Sequence, residues 1–148
     1  MEFVPLDAES VAAVRRLNSA ALPIPVQDHV YRDAMTPPVH SCVVTKAGKV
    51  IAAILLHEDD DTVMCIRTIA VDIGQRGQGI GRTLIEKAIE VASSTKRTLY
   101  LHVQVDNADA IRVYSAMGFN VRERLSNYYR RLACPDCFVM TRDPSSTT

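Results

Sequence analysis

The sequence predicts an α/β domain with a mixed sheet, and three observations carry that reading. Two segments of helical period open the chain, and the apolar patterns after them run strand, strand, strand, helix, strand, helix, strand, strand. A glycine-rich run, Gly74 to Gly81, falls between one of those strands and the helix that follows. The length of 148 residues holds one such domain, residues 1–142, with a polar tail at 143–148 that frays. A domain of this size buries ~two thirds of the surface of its extended chain, enough to stand without metal or disulfide support.

The first segment, Asp7 to Ala21, repeats Val11, Val14, Leu17 and Ala21 at helical spacing, and Asp7 can cap the first amides. Two prolines in Leu22-Pro23-Ile24-Pro25-Val26 end that helix while its side chains stay apolar, which is unusual for a linker. Asp28 to Ala34 reads as a short second helix, stopped by Thr36-Pro37-Pro38. Ser41 to Thr45 and Val50 to His57 form a hairpin around Lys46 to Lys49. The second of these strands is apolar on both faces and so is central. After an acidic turn, Glu58 to Asp61, comes the strand Thr62 to Val71. Ile80 to Ala92 repeats Leu84, Ile85, Ala88, Ile89 and Ala92 as a helix. Thr98 to Val105 is a strand, Asp106-Asn107 opens a helix to Met117, and Gly118 is placed to close it. Phe119 to Arg124 and Asp136 to Met140 complete the strands, separated by a polar and aromatic loop, Leu125 to Pro135.

Composition narrows the function classes. The 17 basic and 17 acidic residues cancel, so no global field gathers nucleic acid or an anionic membrane surface. No apolar stretch reaches the ~18 residues that cross a bilayer, and Met1-Glu2-Phe3-Val4-Pro5 lacks the pattern of a secretory signal. The expected compartment is reducing and intracellular, the cytoplasm or the nucleus. Of the four cysteines, Cys42 and Cys65 lie in apolar runs and read as buried hydrophobes. Cys134-Pro-Asp-Cys137 is a single CxxC with no second pair, and it reads as ordinary cysteines rather than a zinc or redox site. No metal is expected.

Arg76-Gly77-Gln78-Gly79-Ile80-Gly81 sets unpaired backbone N–H groups at a helix start, an arrangement that favours phosphate oxygens. Three glycines in five positions remove β-carbons where a ligand must approach the backbone. A tight turn and helix cap would use the same residues. The spacing is neither the dinucleotide fingerprint nor a P-loop, because no Gly-Lys-Ser/Thr follows.

Arg76-x-x-Gly79-x-Gly81 resembles the acetyl-CoA signature of the GNAT superfamily of N-acetyltransferases. Thr68-Ile69-Ala70-Val71 resembles the strand whose backbone pairs with the pantetheine arm, and Tyr100 to Phe119, with Asn107, Ala110, Ile111, Tyr114 and Met117-Gly118, resembles the second half of that site. Within the superfamily the narrower resemblance is to N-terminal acetyltransferases of the Naa50 or San type. It rests on Leu101-His102-Val103-Gln104, on Asn127-Tyr128-Tyr129-x-Arg131 and on Pro23-Ile24. The resemblance implies a mixed, mostly antiparallel sheet of six or seven strands flanked by about four helices. It implies acetyl-CoA as cosubstrate, bound by Ile69, Val71, Arg76, Gly77, Gln78, Gly79, Ile80, Gly81, Asn107 and Tyr114. The implied acceptor is a protein or nascent-peptide N-terminus, Met followed by an apolar residue, with association to a NatA-like complex and the ribosome.

Period-two alternation puts Leu99, Leu101, Val103 and Val105 on one face of their strand and Tyr100, His102 and Gln104 on the other. His102 coincides with the family's catalytic histidine, and an imidazole with a reference pKa near ~6.5 accepts a proton from an amine. An α-amine, pKa near ~8, is already partly neutral at pH 7.4, whereas lysine, near ~10.4, is not. Direct attack on the thioester places an oxyanion against the backbone N–H around Ile69. Asn107, Ile111 and Tyr114 share one side of a helix, and the resemblance assigns Asn107 to the pantetheine arm and Tyr114 to the departing sulfur. It assigns Tyr128 and Tyr129 to one wall of the peptide groove and Leu22, Pro23, Ile24 and Val26 to the other. Two departures stand out: Cys65 replaces the tyrosine that works with the histidine, and Val26 replaces a substrate-contacting tyrosine. The competing readings are a lysine or small-amine acetyltransferase, and a weakly active accessory subunit that binds CoA and a NatA-like scaffold.

Overall fold

In the computed structural model, residues 1–130 and 132–145 are described. Arg131, which takes part in the narrower resemblance, and residues 146–148 of the expected tail lie outside them. Among the described residues the strands are β1 (Glu2–Pro5), β2 (Cys42–Lys46), β3 (Lys49–Glu58), β4 (Val63–Val71), β5 (Thr98–Gln104), β6 (Asn120–Leu125) and β7 (Cys137–Arg142). The helices are α1 (Val11–Ala21), α2 (Asp28–Ala34), α3 (Ile80–Ser94) and α4 (Ala108–Ala116). The fold is a mixed, mostly antiparallel GNAT sheet with four helices, as the resemblance implies. The chain packs as two units, 1–58 with 66–91, and 59–65 with 92–148.

In the first unit the strands lie in the order β1, β2, β3, β4. β1 is an addition to the strands read from sequence: four residues along the edge of β2, from Glu2 opposite Thr45 to Pro5 opposite Cys42. Its terminal proline suits an edge strand, where no ladder donor is needed. The β2–β3 hairpin turns on Ala47 and Gly48, both at positive φ (52° and 78°), the two-residue turn whose twist matches that of the strands. β3 is buried on both faces from Ile51 to Leu56, as its composition predicts for a central strand. Val14, Leu17, Tyr31, Ala34, Val43, Ala53, Leu55 and Ala70 form the core beneath α1 and α2. Truncating a side chain as enclosed as Leu55, 0% exposed, costs about 2–5 kcal/mol.

Asp7 does cap, one turn before the helix proper: its carboxylate accepts from Ser10 N at 2.8 Å while its own N–H donates to Ser10 Oγ at 3.1 Å. The buried Asn18 was hidden in the apolar stripe of α1. Its Nδ2 donates to the Tyr31 hydroxyl at 3.1 Å, tying α1 to α2, and Arg15 reinforces the tie by bonding Asp28 at 2.8 Å and lying 4.3 Å above the Tyr31 ring.

In the second unit the order is β4, β5, β7, β6, with residues 63–65 of β4 pairing in parallel with 98–100 of β5. β6 is the edge, exposed along most of its length and bulged near Arg122, which blunts it against further pairing. α4 closes on Gly118 at φ 94°. Phe119 N donates to Tyr114 O and Gly118 N to Ser115 O, while the Tyr114 and Phe119 rings meet edge to face at 5.6 Å. This is a Schellman cap with its hydrophobic contact. Cys42 is half-buried rather than enclosed, and Cys137 of the CxxC pair is fully buried in β7; all four cysteines are free thiols.

Candidate active site

The glycine-rich loop of the first unit begins where β4 ends. Asp72 N donates to Ile51 O at 2.8 Å, and the Asp72 carboxylate accepts from Gly74 N at 3.3 Å, so the chain turns through Ile73–Gln75. Arg76 Nε donates back to Val71 O at 3.3 Å, and Gln78 Nε2 donates to Gln75 Oε1 at 3.2 Å. Gly77 and Gly79 sit at φ 81° and 76°, a region L side chains avoid. Gly79 then opens α3, its carbonyl accepting from both Thr83 N and Thr83 Oγ1 at 3.0 Å. The first amides of a helix have no intrahelical acceptor and carry the positive end of its dipole. Ile80 is buried, so its side chain anchors the loop and only its backbone serves a ligand.

These residues fit the diphosphate of acetyl-CoA. A β-carbon at Gly77 or Gly79 would meet no protein atom within 4 Å, so the space before the loop is clear. At Gly81 a β-carbon would make ordinary contact with Val71 at 3.8 Å, and φ there is not positive, so Gly81 is the least demanded of the three. Ile69 and Val71 stand half-buried on the last stretch of β4. In the α1–α2 connection, Leu22 and Val26 pack on the core beneath α1 and α2. Pro23 is exposed and Ile24 half-exposed between those two anchors. The displayed apolar surface between them is Pro23-Ile24-Pro25.

The second unit gathers the expected His102, Tyr128 and Tyr129, and brings in Tyr100. β5 alternates as predicted, with Leu99, Leu101 and Val103 buried and Tyr100, His102 and Gln104 half-buried. The imidazole of His102 stacks on the Tyr128 ring, centroids 4.5 Å apart and planes 12° from parallel. Tyr129 meets Tyr128 edge to face at 4.9 Å, and Tyr100 meets His102 edge to face at 5.9 Å. Tyr128 is 48% exposed and forms an outer wall over the histidine. Cys65, opposite Tyr100 in the parallel ladder, is buried. The Tyr100 hydroxyl donates to Asp59 Oδ2 at 2.5 Å. Burial first, and then the bonds to Asp59 and Cys65, raise the Tyr100 phenol far above its ordinary value, so it stays protonated. Burial, with Cys137, Tyr128 and Cys65 nearby, raises Tyr129 to about 12. Alternation along β5 sets Tyr100 on the face of His102, and the structure adds Asp59 as the partner of the Tyr100 hydroxyl.

One carboxylate holds the loop that carries the two tyrosines. Asp136 accepts from Arg124 Nη2 at 2.7 Å through one oxygen and from Asn127 N at 3.0 Å through the other, and the Arg124 bond holds its pKa below the ordinary value. Tyr129 N donates to Pro135 O at 2.8 Å, and Gln104 Nε2 donates to Cys134 O at 3.0 Å. On α4, Asn107 is the N-cap, its Oδ1 accepting from Ala110 N at 3.2 Å. Its side-chain oxygen is therefore engaged, which leaves Nδ2 to meet a ligand. Tyr114 is buried, and burial raises its phenol to about 12.

A nest of amides at a helix start, a half-buried histidine and an aromatic wall are the furniture of acyl transfer to an amine. The chain belongs to the Acetyltransferase (GNAT) family, which matches it over residues 11–119, and it is an acetyltransferase. Its relatives include the zebrafish (Danio rerio) N-alpha-acetyltransferase 50, 24% identical over 96% of this chain and 88% of that one. The structure of Arabidopsis thaliana Naa50 in complex with the bisubstrate analogue CoA-Ac-MVNAL superposes with a TM-score of 0.87 at 26% identity, covering 96% of this chain and 97% of that one. The Escherichia coli ribosomal-protein-S18-alanine N-acetyltransferase superposes equally well, TM-score 0.87 at 26% identity over 99% and 96% of the two chains.

Proposed function

We propose that the protein transfers the acetyl group of acetyl-CoA to the α-amine of a protein N-terminus, with Met followed by an apolar residue as the preferred start. The observation that carries this reading is the pair of phenols beside the histidine, Tyr128 stacked on His102 and Tyr129 set edge to face against Tyr128. Such a wall admits a chain end more readily than a lysine in mid-chain. The likeness to two N-terminal acetyltransferases supports the same acceptor.

The neutral amine nitrogen attacks the thioester carbonyl carbon, His102 takes the proton that the nitrogen sheds as the tetrahedral intermediate forms, the C–S bond breaks, the amide is left and CoA departs as its thiolate. The amide loop from Arg76 to Gly81 holds the diphosphate, and the backbone N–H around Ile69 faces the oxyanion. Tyr114, which the resemblance sets near the departing sulfur, has two roles open to it, a hydrogen bond to the thiolate or its protonation. A phenol at about 12 is a weaker acid than a thiol near ~8.5, so full proton transfer to the thiolate runs uphill by about 5 kcal/mol. Tyr114 therefore donates a hydrogen bond to the sulfur, and water supplies the proton.

The equal likeness to the S18-alanine enzyme favours a second reading of the first residue, alanine in place of methionine, with the same chemistry. Docking on a NatA-like complex or the ribosome, in the cytoplasm or nucleus, belongs to the first reading. Tandem mass spectrometry of peptides that carry both a free N-terminus and an internal lysine tests the proposal. Acetyl on the first nitrogen supports it; acetyl on the lysine alone replaces it with a lysine acetyltransferase, and binding of acetyl-CoA without turnover replaces it with an accessory subunit.

A further inference from the structure

The resemblance puts a tyrosine at position 65, where this chain has the smaller, buried Cys65. Directly opposite Cys65 in the β4–β5 ladder stands Tyr100. The Tyr100 and His102 rings meet edge to face, centroids 5.9 Å apart with planes at 80°, and Tyr128 stacks on the imidazole with planes 12° from parallel. Two approximately perpendicular contacts fix a planar ring in both tilt and rotation. Tyr128 rides on a loop and is half-exposed, whereas Tyr100 is part of the sheet and is pinned at its far end by Asp59 at 2.5 Å. Asp59 is itself fixed by its N–H donating to Val63 O at 2.9 Å, at the start of the strand that carries Cys65.

We propose that Asp59 and Tyr100 together are the positioning pair for His102, at the place where the resemblance puts a tyrosine that works with the histidine. The inference rests on His102 being the base in the reading above. Tyr100 is a positioning residue and exchanges no proton with substrate: its hydroxyl is spent on the Asp59 carboxylate, and its ring acts on the imidazole. The smaller Cys65 side chain leaves the phenol of Tyr100 as the neighbouring hydroxyl, held by a thiol on one side and a carboxylate on the other.

The pair makes a quantitative claim about non-additivity, because residues acting through one contact do not add their effects. Tyr100→Phe keeps the ring and loses the tether; Asp59→Asn keeps the shape and loses the charge. Each lowers kcat by roughly 10-fold with KM for peptide and for acetyl-CoA within about 2-fold, and the double variant is no worse than the poorer single one. In a Cys65→Tyr background, Tyr100→Phe then costs less than about 2-fold. Cys65 is buried, so if the tyrosine variant does not fold, the Asp59 and Tyr100 cycle decides alone. Multiplicative losses in that cycle, or unchanged kcat in both single variants, overturn the proposal. The ring carbon–proton NMR signals of His102 give a readout that needs no substrate: they shift and broaden in Tyr100→Phe if the pair orients the imidazole, and identical signals overturn it. The kinetic cycle is run with whichever amine the wild-type enzyme acetylates. A lysine acceptor would retire the N-terminal reading while leaving this test intact.

Discussion

Gly79→Ala separates what the loop needs from what a ligand needs. Gly79 sits at φ 76° with no protein atom within 4 Å of a new β-carbon, so the substitution creates no clash and its cost is backbone strain alone. For an L residue that strain is about 1–2 kcal/mol, which in a chain of this length lowers Tm by roughly 3–8 °C. Asn tolerates the left-handed region, so Gly79→Asn loses less stability than Ala while projecting more atoms before the loop. Gly79→Trp projects the most. Calorimetric titration with acetyl-CoA, paired with a melting curve for each variant, orders them differently on the two axes: affinity falls from Ala to Asn to Trp, and stability does not follow that order. A folded Gly79→Trp variant that binds acetyl-CoA as the wild type does would refute the assignment of this loop to the diphosphate, and an unchanged Tm for Ala would refute the strain.

Other expectations follow from the second unit. His102→Ala lowers kcat about 100-fold, the lower end of general-base assistance because an α-amine needs little activation, while Cys65→Ala is milder; pH–rate profiles at saturating acetyl-CoA compare the two, and the reverse ranking would move the base to Cys65. Asp136→Asn loosens the loop that carries Tyr128 and Tyr129, so peptide KM rises several-fold with kcat little changed, as initial rates over a peptide series will show. The Asp136 pKa is depressed in the folded state, so its stabilisation is present above the unfolded value of ~3.9 and fades as pH falls through the lower folded value; acid unfolding of Asp136→Asn is correspondingly less steep there. Tyr114 and Tyr129, raised to about 12, contribute stability that is whole below the unfolded value of ~10 and is lost as pH rises from there towards 12. Ultraviolet titration then finds their phenolates, and that of Tyr100, appearing later than in an unfolded control, and ionisation of these three together with the control contradicts the burial.

Local signals in the sequence located most elements, because period and punctuation are local. Gly118 announced the end of α4, and Lys46 to Lys49 announced the hairpin. β1 escaped because four residues ending in proline, an edge strand paired on one side only, carry too little alternation to stand out from a disordered start. Asn18 escaped because a polar residue inside an apolar stripe looks like an exposed one until Tyr31, 13 residues away, supplies its partner. The face of β5 was legible from alternation, which sets His102 on the half-buried side with Tyr100 and Gln104. What alternation cannot give is register across strands, and so the opposition of Cys65 to Tyr100, and of the Asp59 carboxylate to a phenol 41 residues on, belongs to the structure. Of the groove residues that the resemblance assigns, Leu22 and Val26 also pack on the core beneath α1 and α2, a contact that the spacing of apolar residues alone does not reveal.

The central claim is transfer to a free chain end, and one comparison of kcat/KM bears on it most directly. A coupled assay of released CoA is run on a peptide beginning Met-Leu and on the same peptide with its N-terminus blocked and an internal lysine left free. The account predicts turnover of the first at least about 100-fold above the second, since the blocked peptide offers only an amine of pKa near ~10.4 and no end to pass the Tyr128 and Tyr129 wall. Equal values for the two peptides, or a faster reaction with the blocked one, would contradict it.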